Sequence, residues 1–196
     1  MSFLARLRAW WQGPAPEAKA VLPHQVIPVK PDPRPSGVVP AGEIVANHDL
    51  SVKAATARGY RNRNPGNIDW SASNPWQGQT GRETMMNGQP GRFATFDTHE
   101  NGIRAMARLL MNYDRIYELD TVTKIVGRWA PKVENDTAAY ASRVARLMNR
   151  SADQRLNLTM FADLRPLVEA MIVVELGGQP YPDEVIDEGV RRALAG

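Results

Sequence analysis

The spacing of apolar positions changes several times along the chain, and each change marks an element. Phe3, Leu4, Leu7, Trp10 and Trp11 recur at helical spacing with Arg6 and Arg8 off that stripe. This predicts a short amphipathic helix over residues 1–13, ended by Gly13-Pro14. The periodicity then stops. Eight prolines lie between Pro14 and Pro40; proline fixes φ and removes a backbone donor, so residues 14–58 are expected to form an extended, semi-rigid linker. From Gly59 the pattern is globular. Residues 59–95 are dense in turn signals: Asn64-Pro65-Gly66-Asn67, Asn74-Pro75, Asn87-Gly88 and Pro90-Gly91. Asn87-Gly88, between Thr84-Met85-Met86 and residues 92–96, predicts a small β-hairpin.

Helical spacing takes over after that. Asp97-Thr98-His99-Glu100 reads as a capping box opening a helix through about Tyr113, with Ile103, Met106, Ala107, Leu110 and Met111 on one face. A second helix is expected from about Thr121 to Trp129, stopped by Pro131. Asn135-Asp136-Thr137 caps a third, which carries Tyr140, Val144, Leu147 and Met148. Thr159 or Asp163 starts a very apolar helix through Leu176, closed by Gly177-Gly178, and Asp183 begins a last one ending near Ala195. The fold class predicted is mainly α, an α+β helical domain over residues 59–196 with a small β or loop lobe near its start.

Composition narrows the function classes. The 196 residues, 43% of them hydrophobic, suffice for one domain with a real core and an appendage. The absence of cysteine excludes a disulfide scaffold and thiol chemistry. The three histidines (His24, His48 and His99) are far apart, so no metal site and no cofactor is expected. No apolar run approaches the roughly 18–20 residues that span a bilayer. The formal net charge of +3 sits entirely in residues 1–58, which hold seven Lys or Arg against four Asp or Glu. The domain itself is balanced, so no nucleic-acid partner is expected there. The N-terminal helix is short and lacks a small-residue cleavage site, which argues against a signal peptide. Trp10 and Trp11 suit docking on a partner protein or at a membrane interface; the alternative is a helix folded back onto its own domain.

One carboxylate stands out on physical grounds. Glu175 ends a helix that is apolar almost all round, through Leu167, Val168, Met171, Ile172, Val173 and Val174. Desolvation and the negative end of the helix macrodipole both favour its protonated form, the state a general acid needs. Gly177-Gly178 then strips side chains from the adjacent backbone, leaving room for a bulky substrate. The other reading is a partly exposed Glu at a glycine-capped helix end, paired with an arginine. Glu100 sits in a helix first turn, where a capping role suits it better than an acid's. Glu134, just before a helix start, is a cap or a site residue. Asn64, Asn67, Trp76, Gln77 and Gln79 combine amides with an aromatic ring, which suits sugar-like ligands, or else form a polar loop pinned by buried tryptophans. Trp129, at the end of an apolar stripe, reads as core.

The segment FDTHENGIRAMARLLMNYD resembles a helix of the soluble lytic transglycosylases and goose-type lysozyme-like enzymes, of pattern P-E-E-N-I-x-A-G-A-R-Y-L-x-x-L. NDTAAYASRVARLM is similar to that family's late helix, E-T-x-x-Y-V-x-R-V. A second resemblance covers most of residues 59–190: RNRNPGNI, WQGQ and RWAPKVENDTAAY look like a group of small bacteriophage proteins labelled as structural or virion proteins. In the transglycosylases the catalytic glutamate lies in E-S-G-G-x-P, before the other two segments. Here the earlier glutamates, Glu17, Glu43 and Glu83, sit in the linker, beside it and in a loop, whereas Glu175-Leu176-Gly177-Gly178-Gln179-Pro180 fits that motif except at Leu176.

The resemblance therefore implies a circularly permuted lysozyme-like domain with Glu175 as catalyst, Glu134 and Glu100 behind it. Asn64, Asn67, Trp76, Gln77, Gln79, Asn135, Tyr140, Gln179 and Tyr181 would contact the glycan strands of peptidoglycan. Glu175 should then face a cleft lined by residues 64–79. The setting implied is a phage virion, with residues 1–13 and the linker docked on other virion proteins and the enzyme acting in the bacterial periplasm during genome entry. A non-catalytic virion component and an endolysin are the alternatives.

Overall fold

A computed structural model of the chain describes residues 52–73, 75–130 and 136–196, all within the compact unit Val39–Gly196. The N-terminal helix, most of the linker, Glu134 and Asn135 lie outside the described residues. In chain order the elements are α1 (Arg58–Arg61), β1 (Gln79–Thr84), β2 (Pro90–Phe96), α2 (His99–Tyr117), α3 (Val122–Trp129), α4 (Thr137–Leu147), α5 (Phe161–Leu176) and α6 (Asp183–Ala195). The chain is mainly helical with one small antiparallel sheet, as its apolar spacing predicts.

The least amphipathic segment becomes the axis of the core. Leu164, Leu167, Val168, Met171 and Ile172 of α5 are fully buried, each worth about 1.5–3 kcal/mol relative to exposure. Around them pack Ile103, Met106 and Leu110 of α2, Val122, Ile125 and Val126 of α3, Val144 of α4, and Ile186 and Val190 of α6. Leu147, placed with the buried face of its helix by spacing, is instead 48% exposed, being the last residue of α4. Residues 52–58, read with the linker, belong to the packed unit: the proline-free stretch turns helical at 52–55 and buries Ala54 completely.

Caps explain the boundaries. Thr98, Thr121 and Asp136 accept hydrogen bonds from the backbone N–H groups of Asn101, Lys124 and Ala139, opening α2, α3 and α4. The capping box expected at residues 97–100 is not formed, because Thr98 is the N-cap and its third helical residue is Asn101, so Glu100 falls one position short. Helix α2 also runs one turn beyond Tyr113, to Tyr117, where Glu118 turns left-handed at φ 55°. Gly177, with φ 74°, closes α5.

The sheet pairs β1 with β2 in the register Gln79↔Phe96, Arg82↔Ala94 and Thr84↔Pro90. Met85 and Met86 therefore lie in the connecting loop rather than in a strand, exposed at 51% and 108%. Residues 68–70 add a further edge to β2: Ala94 N–H donates to the Ile68 carbonyl and Trp70 N–H to that of Arg92. Glu83, expected in a loop, is instead a buried strand residue. Its carboxylate accepts from the backbone of Arg92 and Phe93 and from Asn62 Nδ2. The loop at residues 62–67 presses on the start of α2 so closely that a Cβ at Gly102 would stand 1.7 Å from the Arg63 carbonyl oxygen.

Candidate active site

The C-terminal end of α5 meets two other segments at one carboxylate. Glu175 is partly buried, and its Oε1 accepts from the Tyr140 hydroxyl at 2.7 Å and from Trp129 Nε1 at 2.9 Å. Its Oε2 accepts from Asn67 Nδ2 at 3.3 Å. Three parts of the chain thus converge on Glu175: the turn at residues 64–67, the end of α3 and the first turn of α4. Among the described residues no lysine or arginine pairs with it.

Each donor is fixed by its own local structure. Asn67 stands in the left-handed region at φ 47°, which asparagine tolerates better than most residues, and its N–H closes a turn on the Asn64 carbonyl. Gly66 lies flush on the indole of Trp129; a Cβ there would stand 2.9 Å from Cη2. The indole also meets Tyr113 edge-on, ring centroids 6.4 Å apart. Tyr140 lies in the first turn of α4, which Asp136 caps, and Thr137 donates back to the Ala130 carbonyl at 2.6 Å, tying α4 to the end of α3. Burial, and then the charge of Glu175, push the Tyr140 hydroxyl far above its ordinary pKa, so it remains a proton donor.

Of the residues singled out by sequence, the fold therefore brings Asn67 and Tyr140 to Glu175. Asn64 is fully buried and spends its amide on the fold. Its Nδ2 donates to the Ile68 and Ala94 carbonyls and its Oδ1 accepts from Ile68 N–H, which makes it a loop brace without a free group for a ligand. Gln77 is exposed, and Trp76 and Gln79 are partly buried at the corner between the 64–79 loop and β1, where Gln79 N–H donates to the Trp76 carbonyl. Gln179 accepts from Tyr181 N–H in the loop after α5. Tyr181 is only 5% exposed and packs with Tyr60 and His99, ring centroids 5.2 and 5.1 Å away. Glu100 lies in the first turn of α2 and makes no hydrogen bond to the cluster.

Trp129 packs against the core, as sequence reasoning reads it, but its indole N–H also reaches Glu175, which that reading does not anticipate. The one available signal is chemical: an indole N–H taken out of water needs an acceptor, and the acceptor here lies 46 residues away.

A small helical domain with a β lobe, holding one carboxylate between a tryptophan, a tyrosine and an asparagine, matches no family model. Its sequence does place it among bacteriophage proteins. It is 37% identical to Protein P5 of Pseudoalteromonas phage PM2 over 135 residues, which cover 68% of this chain and 79% of the phage protein. The chain belongs to the family of that protein.

Proposed function

We propose that this is a virion-associated, lysozyme-like enzyme that cleaves peptidoglycan glycan strands, with Glu175 as its acid. The observation that carries the reading is the fixing of Glu175 by three donors at the glycine-capped end of a buried helix. The resemblance of residues 96–114 and 135–148 to transglycosylase helices, and membership of a phage protein family, support it.

In this reading the two carboxylate oxygens have different tasks. An indole N–H only donates, and Tyr140 stays protonated, so Oε1 is committed as an acceptor from both. Any proton Glu175 transfers is carried on Oε2. There Asn67 suits both states, because its amide donates to the carboxylate and, turned about χ2, presents its carbonyl to the acid. Oε2–H would protonate the glycosidic oxygen between N-acetylmuramic acid and N-acetylglucosamine. The C–O bond breaks and the sugar becomes oxocarbenium-like. Attack by the sugar's own 6-hydroxyl on that carbon forms an anhydro ring and returns the hydroxyl proton to Oε2. A hydrolase would instead need a second carboxylate, several ångströms from Glu175, to place water or form a covalent adduct.

Zymography on purified cell wall tests this, comparing the wild type with Glu175→Gln. Clearing should fall at least 100-fold in the variant, and the released glycan should end in anhydro-muramic acid. Clearing that survives the substitution removes Glu175 from the mechanism. A wild type that clears nothing favours a second reading, a non-catalytic virion component, for which the two hydrogen bonds to Glu175 Oε1 are a structural tie between α3, α4 and α5. The virion assignment predicts the chain in purified particles. Its appearance only in lysates would make it an endolysin.

A further inference from the structure

Away from Glu175, helices α2 and α6 bring together three arginines that share a single ion pair among the described residues. Arg104 and Arg108 are one turn apart on α2. Two links from α6 bracket Arg104: Arg192 Nη1 donates to Asn101 Oδ1 at 3.2 Å, and Arg108 Nη1 donates to the Ala193 carbonyl at 3.1 Å. The helices are pressed close here, since a Cβ at Gly189 would stand 2.6 Å from Ile103 Cγ2. Glu188 binds Arg192 Nε at 2.7 Å, Asp97 accepts from Asn101 Nδ2, and Glu100, one turn before Arg104, forms no ion pair with it. Arg104 itself is partly buried and has no hydrogen-bond acceptor among the described residues.

We infer that Arg104, Arg108 and Arg192 form a binding site for a phosphate-type oxyanion. Like charges repel one another, and among the described residues the one ion pair that the three guanidinium groups make is Arg192 with Glu188. Partial burial, followed by Arg108 and Arg192, lowers the pKa of Arg104, which records the same repulsion. Guanidinium is planar and offers its N–H groups in forks that match the oxygen spacing of a phosphate. Arg104 offers all of its donors, and Arg108 and Arg192 each retain some. The group recognised is a phosphate carrying one or two charges, supplied either free or as a lipid headgroup.

The experiment uses the full chain, as wild type, Arg104→Gln and, as a control for net charge, Arg115→Gln on an exposed turn of α2. Inorganic phosphate is titrated calorimetrically in one arm; in the other, phosphatidylglycerol–phosphatidylcholine vesicles are co-sedimented. The expected result is affinity weakened at least fivefold by Arg104→Gln and left unchanged by Arg115→Gln. An effect confined to the vesicles identifies a lipid headgroup as the source, and an effect in the titration identifies free phosphate. Equal behaviour of wild type and Arg104→Gln in both arms overturns the site. Neither outcome depends on wall cleavage, so failure here and failure of the Glu175 reading are separable.

Discussion

At the scale of single residues, the fold separates asparagines that the sequence cannot. Asn64 and Asn67 flank the same Pro-Gly turn, yet one braces the loop and the other reaches Glu175. Replacing Asn64 by Ala would leave the buried Ile68 N–H without its acceptor and take a donor from the Ala94 carbonyl, while the Ile68 carbonyl keeps Ala94 N–H, at about 1–3 kcal/mol for each group left unsatisfied. A fall in urea midpoint with an unchanged m-value would show it. Tyr140→Phe removes one of the two donors on Oε1 while keeping the ring. A hydrogen bond to a charged group is worth about 1.5–3 kcal/mol, so wall-cleaving kcat should drop roughly 10- to 100-fold with KM little changed. Steady-state kinetics on soluble glycan fragments would separate the two parameters. Glu175 was legible because a long apolar run ending in Gly-Gly is visible in one stretch of sequence. Trp129 was not, because what distinguishes it from a core tryptophan is an acceptor on another helix.

At the scale of elements, the helices were legible because each carries its own start or stop. Thr121, Asp136, Gly177 and the Pro182-Asp183 junction fall where the structure has boundaries. The hairpin was harder to bound. The Asn-Gly turn was in the sequence, but the strand before it ends at Thr84 because Glu83 turns inward to satisfy the backbone of Arg92 and Phe93 across the sheet. Burial alone would raise the pKa of Glu83, yet the donors from Asn62, Phe93 and Arg92, with the nearby Arg58 charge, lower it. Glu83→Leu should therefore loosen the hairpin, seen as faster amide exchange at Arg92 and Phe93 while α5 keeps its protection. The contact between the 62–67 loop and α2 has a stricter demand. With the Arg63 carbonyl 1.7 Å from where a Cβ would sit, Gly102→Ala has to displace the backbone that carries Asn67. Activity loss should exceed the loss of stability, read as a lowered kcat at a temperature where the variant is still folded.

At the scale of the whole molecule, charge is partitioned. The surplus of +3 belongs to residues 1–58, and the balanced remainder is organised into local pairs such as Arg165 with Glu169, Asp183 and Asp187, which joins α5 to α6. Asp120 is the pair most open to a pH test. Hydrogen bonds from Lys124 and Arg155, which outweigh desolvation, pull its carboxyl from an ordinary 3.8 down to about 2. The unfolded chain therefore takes up this proton first as the pH falls. The stabilisation is complete above about pH 4 and is lost by about pH 2. The gap in Tm between wild type and Asp120→Asn, measured at neutral pH, should close over that window. A gap that stays constant down to pH 2 would remove the carboxylate charge as its cause.

The convergence on Glu175 also has a consequence in time. Asn67 and Glu175 lie 108 residues apart, so their hydrogen bond closes one of the longest loops in the domain, whereas α2 to α6 form from neighbours in the chain. Long-range contacts are reached late, after the loop-closure entropy has been met. The helices should therefore assemble before the Glu175 cluster does. In a refolding experiment with Trp10, Trp11, Trp70 and Trp76 replaced by Phe, the burial of Trp129 should trail the recovery of far-ultraviolet helicity.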